Sequence, residues 1–128
     1  MNHVIHNIGI ASQIGLYSDA IESKSGLRWL LTSGTPGLSA AGELPRDIGG
    51  QAELAWKHVT SMLGQAGMTI GDIVKVSQYL TRAADIQAYG MVRKLFLGDL
   101  QPASMLLVIP QLVRPEFLIE IEVIAAKA

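Results

Sequence analysis

The chain has 128 residues, a length that fits one domain. Ten Lys and Arg against eleven Asp and Glu leave a net charge of −1, which excludes a strong electrostatic footprint for nucleic acid or an anionic membrane. Hydrophobic residues at 49% and charged residues at 16% exclude disorder, and no apolar run approaches the roughly 18–20 residues of a membrane span. A mean hydropathy of +0.33 is high for so small a chain, so surplus apolar surface is expected to be buried against another subunit. The absence of cysteine removes disulfides, thiolate nucleophiles and zinc–thiolate sites. The N-terminus shows no basic segment leading into an apolar one, so no signal peptide is read and a cytoplasmic location is expected.

In chain order, the N-terminus leaves room for one further strand, and residues 14–24 partly alternate apolar and polar. A turn at Ser25-Gly26 and the β-prone run Leu27–Thr32 follow. Together they predict a hairpin. Residues 34–46 carry Gly34, Pro36, Gly37, Gly42 and Pro45 and read as a loop. From Asp47 the apolar positions Ile48, Ala52, Ala55, Val59, Met62, Leu63 and Ala66 step by three and four, one helical stripe with Asp47 as N-cap and Gly67 as stop. Thr69–Asp72 reads as a capping box, Ile73–Leu80 as a strand, and Ala84–Leu97 as a second helix closed by Gly98. Strands at Ser104–Ile109 and Phe117–Ala125 complete the order β-β-α-β-α-β-β. This predicts one α+β domain over 1–128, a mixed sheet with two helices on one face.

The last strand carries the most chemistry. Phe117, Ile119, Ile121, Val123 and Ala125 share one face, and Leu118, Glu120, Glu122 and Ile124 share the other. The two carboxylates lie roughly 6.6 Å apart along the strand. One reading is a half-solvated sheet face. The other is a carboxylate pair in a semi-apolar groove, where burial and mutual repulsion raise one pKa toward that of a general base.

Other candidates are weaker. His3 and His6 fall on opposite faces of a strand and lack a third ligand, so no metal site is expected. His58 lies beside the apolar stripe of the first helix and reads as surface, and Trp56 as packing. No nucleophile elbow surrounds Ser33-Gly34, and the glycines lack the Lys-Ser/Thr spacing of a phosphate loop.

The stretches Gly15–Ser18, Leu31–Gly34, Gln65–Lys75, Tyr79–Thr81, Asp85-Ile86, Pro102-Ala103 and Ile119–Ala125, in this order and spacing, resemble the Rid family of reactive intermediate deaminases, also called the YjgF family. The resemblance implies a chorismate-mutase-like subunit and a homotrimer with a central barrel-like core. It also implies small-molecule clefts between subunits, with no nucleic acid or membrane partner. Active members hydrolyse enamines and imines to ammonia and a keto acid, a reaction that needs no cofactor. Carried over, Glu120 is the acid–base residue for water, and Tyr17, Ser33, Gly34, Ser104 and Met105 line the substrate site.

Two departures stand out. The deaminases carry an arginine directly after Pro-Ala to clamp the substrate carboxylate, and here that position is Ser104. An asparagine usual on the second helix is Gly90. A serine cannot reproduce a bidentate, charge-assisted fork. The resemblance therefore implies an imine or enamine deaminase with a substrate other than the standard 2-imino acids, or a non-catalytic trimer that binds a small metabolite. Arg82, Arg93 and Arg114 are the cations that could compensate from another direction.

Overall fold

The computed structural model describes residues 3–128. Among the described residues seven strands and two helices follow one another as β1 (His3–His6), β2 (Ala20–Ser23), β3 (Arg28–Leu31), β4 (Thr35–Pro36), α1 (Ile48–Gln65), β5 (Ile73–Leu80), α2 (Ile86–Leu97), β6 (Ala103–Val108) and β7 (Ile119–Lys127). This is the mixed α+β arrangement the spacing predicts.

The helices form where the periodicity places them. In α1, Ile48, Ala52, Ala55, Val59 and Leu63 are all buried. Asp47 is extended, and its carboxylate accepts the Gly50 N–H at 2.9 Å. At the other end Gly67 takes φ +70°. Its N–H donates to Gly64 O at 3.0 Å and that of Met68 to Leu63 O at 2.8 Å, which completes a Schellman stop. The capping box is also present, with the Thr69 N–H donating to the Asp72 carboxylate at 2.8 Å. Trp56 of α1 stacks on Phe96 of α2 with ring centroids 5.9 Å apart, so it is packing as expected.

In the main sheet the order is β3-β7-β5-β6, with β4 also paired to β7. β5 and β6 are parallel and joined through α2; every other pair is antiparallel. On β7, Phe117 just before the strand and Ile119, Ile121, Val123 and Ala125 within it are buried, while Glu120, Glu122 and Ile124 are half-buried. The buried set joins Trp56, Tyr89, Leu63 and Leu80 in one core, so both helices cover the same face. The opposite face lacks such a cover and presents Trp29, Leu31, Met105 and Leu107 at 51%, 68%, 41% and 41% exposure.

The expected hairpin between 14–24 and 27–32 does not form. Only Ala20–Ser23 of the first segment is a strand, and it pairs with β1 in a separate two-stranded sheet, while β3 pairs with the C-terminal half of β7. Gly26 does turn the chain, at φ +78°, but the alternation could not say which partner each strand takes. The loop 34–46 contains the short β4, whose Pro36 stands opposite Glu120. α2 begins at Ile86 after a 3-10 turn, Ala83–Asp85, rather than at Ala84. β6 and β7 are displaced by one and two residues from the expected bounds. His58 is half-buried, not surface: its Nε2 lies 2.7 Å from Leu38 O and ties α1 to that loop.

Residues 7–19 cross from β1 to β2 as a folded loop whose first half is held by the Asp19 side chain. The Asp19 carboxylate accepts the N–H groups of Ile8 at 2.9 Å and Ala11 at 2.8 Å, and these bonds hold its pKa below the ordinary carboxyl value. A lowered carboxyl pKa contributes order above the unfolded-chain value and loses it as pH falls through the folded value. Amide exchange should therefore show Ile8 and Ala11 protected at neutral pH and released on acidification. Asp19→Ala should release them at every pH.

Candidate functional site

A cavity of about 530 Å³ opens between residues 14–17, α2 and the edge strand β6. Ser18 holds the loop wall in place. It is buried, its N–H donates to Pro102 O at 3.3 Å and its hydroxyl to Gln101 O, which anchors the segment that carries Tyr17 on the cavity lining. Strand alternation puts Gln78 and Ser104 on the helix-covered face, beneath α2.

Gln78 is the hub of this floor. Its Nε2 donates to Ser104 Oγ at 3.0 Å and Met105 O at 2.9 Å, and its Oε1 accepts from the Tyr89 hydroxyl and from Arg93 Nε at 2.9 Å. With both donors and its acceptor engaged, the amide has one orientation. The Arg93 guanidinium also reaches Leu16 O and Ser104 Oγ, each at 3.4 Å. Burial lowers its pKa from the ordinary value, although a guanidinium keeps its proton. Arg82 is engaged with Asp85 at 2.8 Å, and Arg114 lies over the Phe117 ring at 5.5 Å. Of the three candidate cations, Arg93 is the one in the cavity.

Glu120 stands elsewhere, on the face of β7 that the helices leave open. Gly34 packs directly on it: a Cβ at Gly34 would lie 2.9 Å from Glu120 Oε1. Tyr79 is its cross-strand neighbour on β5, and the Tyr79 hydroxyl makes a long contact of 3.4 Å with Glu122 Oε1. Desolvation raises the Glu120 pKa above the ordinary carboxyl value, and the Glu122 charge adds to the shift. Burial and the same two carboxylates raise the Tyr79 pKa. Ser33 borders a shallower hollow of about 410 Å³ with Leu31, Thr35 and Met62.

The six residues singled out in the sequence thus fall apart. Tyr17, Ser104 and Met105 line the cavity; Gly34 packs on Glu120 on the open face, and Ser33 borders the hollow beside Met62 of α1. Gln78, Tyr79, Tyr89 and Arg93 went unassigned or unranked. Arg93 follows Gly90 by one helical turn, a signal that becomes legible only when α2 is known to lie over β6. Among the described residues no group of three or more His, Asp or Glu gathers to hold a metal. His3 and His6 instead meet Ser23 and Glu22, each at 2.9 Å.

Residues 10–127 match the family model described as Endoribonuclease L-PSP. The chain belongs to this family, that of the Rid or YjgF proteins. Among the curated Rid-family relatives, the Escherichia coli protein named putative reactive intermediate deaminase TdcF is 29% identical over 102 residues, 79% of this chain and 77% of that one. The RutC family protein PM1466 of Pasteurella multocida is 32% identical over 133 residues and the full length of both chains. The solved Rid protein YyfB of Yersinia pestis superposes with a TM-score of 0.86 at 28% identity, covering 99% of this chain and 100% of that one. E. coli TdcF, solved with bound serine, superposes at 0.75 with 28% identity, 90% of this chain and 91% of that one.

Proposed function

We propose that this Rid-family chain is an enamine or imine deaminase, acting on a substrate other than the standard small 2-imino acids. The observation that carries the reading is Glu120: a partly desolvated carboxylate with a raised pKa, set against the bare backbone of Gly34 and beside a second carboxylate. Hydrolysis of an imine adds water across C=N and then expels ammonia, leaving a carbonyl. A protonated imine is already electrophilic, so the protein needs a placed water, a base and a shielded cleft. Glu120 takes the proton from water; the carboxylate pair favours the cationic imine. No cofactor enters this scheme. The names of the deaminase relatives and the serine held by TdcF support a small-molecule site.

The site is completed by a second subunit. Glu120 and the Tyr17–Ser104 cavity lie on opposite sides of the sheet, so one chain cannot apply both to one ligand. The exposed Trp29, Leu31 and Leu107 of the open face support a homotrimer that buries it, and in this proposal one subunit's Glu120 meets its neighbour's cavity. Light scattering at micromolar concentration should give three chains per particle; a stable monomer would overturn the arrangement.

Ser104 sets the substrate. Without a bidentate fork at that position, the imine derived from 2-aminoacrylate should turn over at least about 30-fold more slowly than in an arginine-bearing relative. The test is ammonia release from imines generated by amino-acid and amine oxidases. If none is hydrolysed while metabolites still raise Tm, the chain is a non-catalytic binding protein, the reading left by the missing arginine.

A further inference from the structure

We infer that Arg93 of α2, together with the Ser104 hydroxyl, forms an anion-binding site that takes the carboxylate of a substrate with a bulky apolar body. The inference rests on the deaminase reading for the word substrate, but its geometry stands without it.

Arg93 is half-buried, and it pairs with no carboxylate among the described residues. Only its Nε makes a bond of ordinary length, to Gln78. Its two terminal nitrogens reach protein acceptors only at 3.4 Å, longer than charge-assisted bonds of about 2.7–2.9 Å. A desolvated cation with most of its fork unspent is costly unless something anionic completes it. Gln78 prevents the guanidinium from turning away, because its Oε1 is held in place by the Tyr89 hydroxyl and by the two bonds of its own amide nitrogen.

Ser104 adds a second donor. Its oxygen already receives Gln78 Nε2 and faces Arg93 Nη2, so its own proton is left to donate, and the open direction is the cavity. The floor therefore offers guanidinium N–H groups and an O–H converging on one region. A planar acceptor with two oxygens fits that set, and a carboxylate is such a group.

The rest of the cavity sets the tail. Its apolar walls are Ile14, Leu16, Ile86 and Leu106 with the Tyr17 ring, and about 530 Å³ lies within the range of small-molecule sites. A three-carbon acid would leave most of that apolar wall wet. A branched or aromatic chain of five or more carbons would cover it.

The test uses a matched pair of probes on the intact protein, 4-methylpentanoate and its neutral isostere 4-methylpentanamide, followed by calorimetry. The carboxylate should bind at least about tenfold more tightly than the amide. Arg93→Gln should remove that preference, lowering carboxylate affinity on the order of 10- to 100-fold while amide affinity holds. Arg93→Lys, which keeps the charge but not the fork, should fall between, and Ser104→Ala should lose several-fold. A purely structural Arg93 would weaken both probes together. Equal affinity of the two probes for the wild-type protein, no detectable binding of the carboxylate at millimolar concentration, or a preference that survives Arg93→Gln would each overturn the inference. The readout is independent of turnover, because neither probe carries a C=N bond to hydrolyse. Failure to find a hydrolysed imine thus leaves the anion site standing, and an active enzyme indifferent to Arg93 refutes it alone.

Discussion

Glu120→Gln should lower imine turnover by about 100-fold or more while leaving Tm and the oligomer unchanged. The amide keeps the shape that packs on Gly34 but cannot accept a proton from water. Stability is spared because the carboxylate is penalised where it stands: desolvation and Glu122 both disfavour its charge. The sign follows from that direction. A carboxyl whose folded pKa is raised contributes most at low pH, and that contribution is lost as pH rises through the folded value. Activity runs the other way, since the base works only when ionised. The rate should climb with pH through a value above the ordinary carboxyl range. Glu122→Gln removes the second cause of the shift and should move that climb to lower pH. A pH–rate profile of kcat/KM for both variants checks the two statements together. A Glu120→Gln enzyme with normal turnover, or a profile indifferent to Glu122, would refute the assignment of the base.

The parts of this molecule that were legible in the sequence are those set by local rules. α1 ends at a glycine that must adopt positive φ and begins at a side chain that caps its own helix, both within five residues of the stripe they bound. β7 declares its two faces by strict alternation, which sets Glu120 and Glu122 together on the face opposite its buried set. What escaped depends on strand partnership. β2 and β3 are adjacent in sequence and have equal claims to each other, yet β7 takes β3 because its C-terminal half has a free edge there. The Arg93–Gln78–Ser104 cluster joins a helix to two parallel strands across 26 residues of chain between Gln78 and Ser104. No short-range pattern encodes that meeting; it follows from the β5–α2–β6 crossover laying α2 over its own strands. Two of the six site residues, Ser104 and Met105, are neighbours in sequence but alternate across the strand, so only Ser104 joins that cluster through its side chain.

The connection between fold and Glu120 runs through Gly37, and its substitution should be the most damaging to stability. An added Cβ at Gly37 would stand 2.2 Å from Gln51 O and 2.6 Å from Gln51 Cα, both backbone atoms of α1. At Gly34 the obstacle is the movable end of a side chain; at Gly37 neither partner can yield without shifting a helix. Gln51 is itself a buried staple. Its Nε2 donates to Pro45 O at 2.9 Å and Glu116 O at 3.1 Å, and its Oε1 accepts the Leu118 N–H at 2.8 Å, so displacing it disturbs the segments that lead into α1 and β7. Overpacking a rigid site costs about 1–3 kcal/mol, and the loosening of this buried network adds a further ~1 kcal/mol or more. Gly37→Ala should therefore lower stability by about 3 kcal/mol and Tm by roughly 10 °C for a chain of this length. β4 lies immediately before Gly37 and holds Thr35 and Pro36 against Ile121 and Glu120, so the strained variant should also lose the close fit of Gly34 on the carboxylate. Gly34→Ala is the control that separates the two effects. It should melt close to the wild type while shifting the pH dependence of activity, because it moves only Glu120. If thermal denaturation finds Gly37→Ala as stable as the wild type, then α1 is not held rigidly against β4, and the placement of Gly34 on Glu120 needs another support.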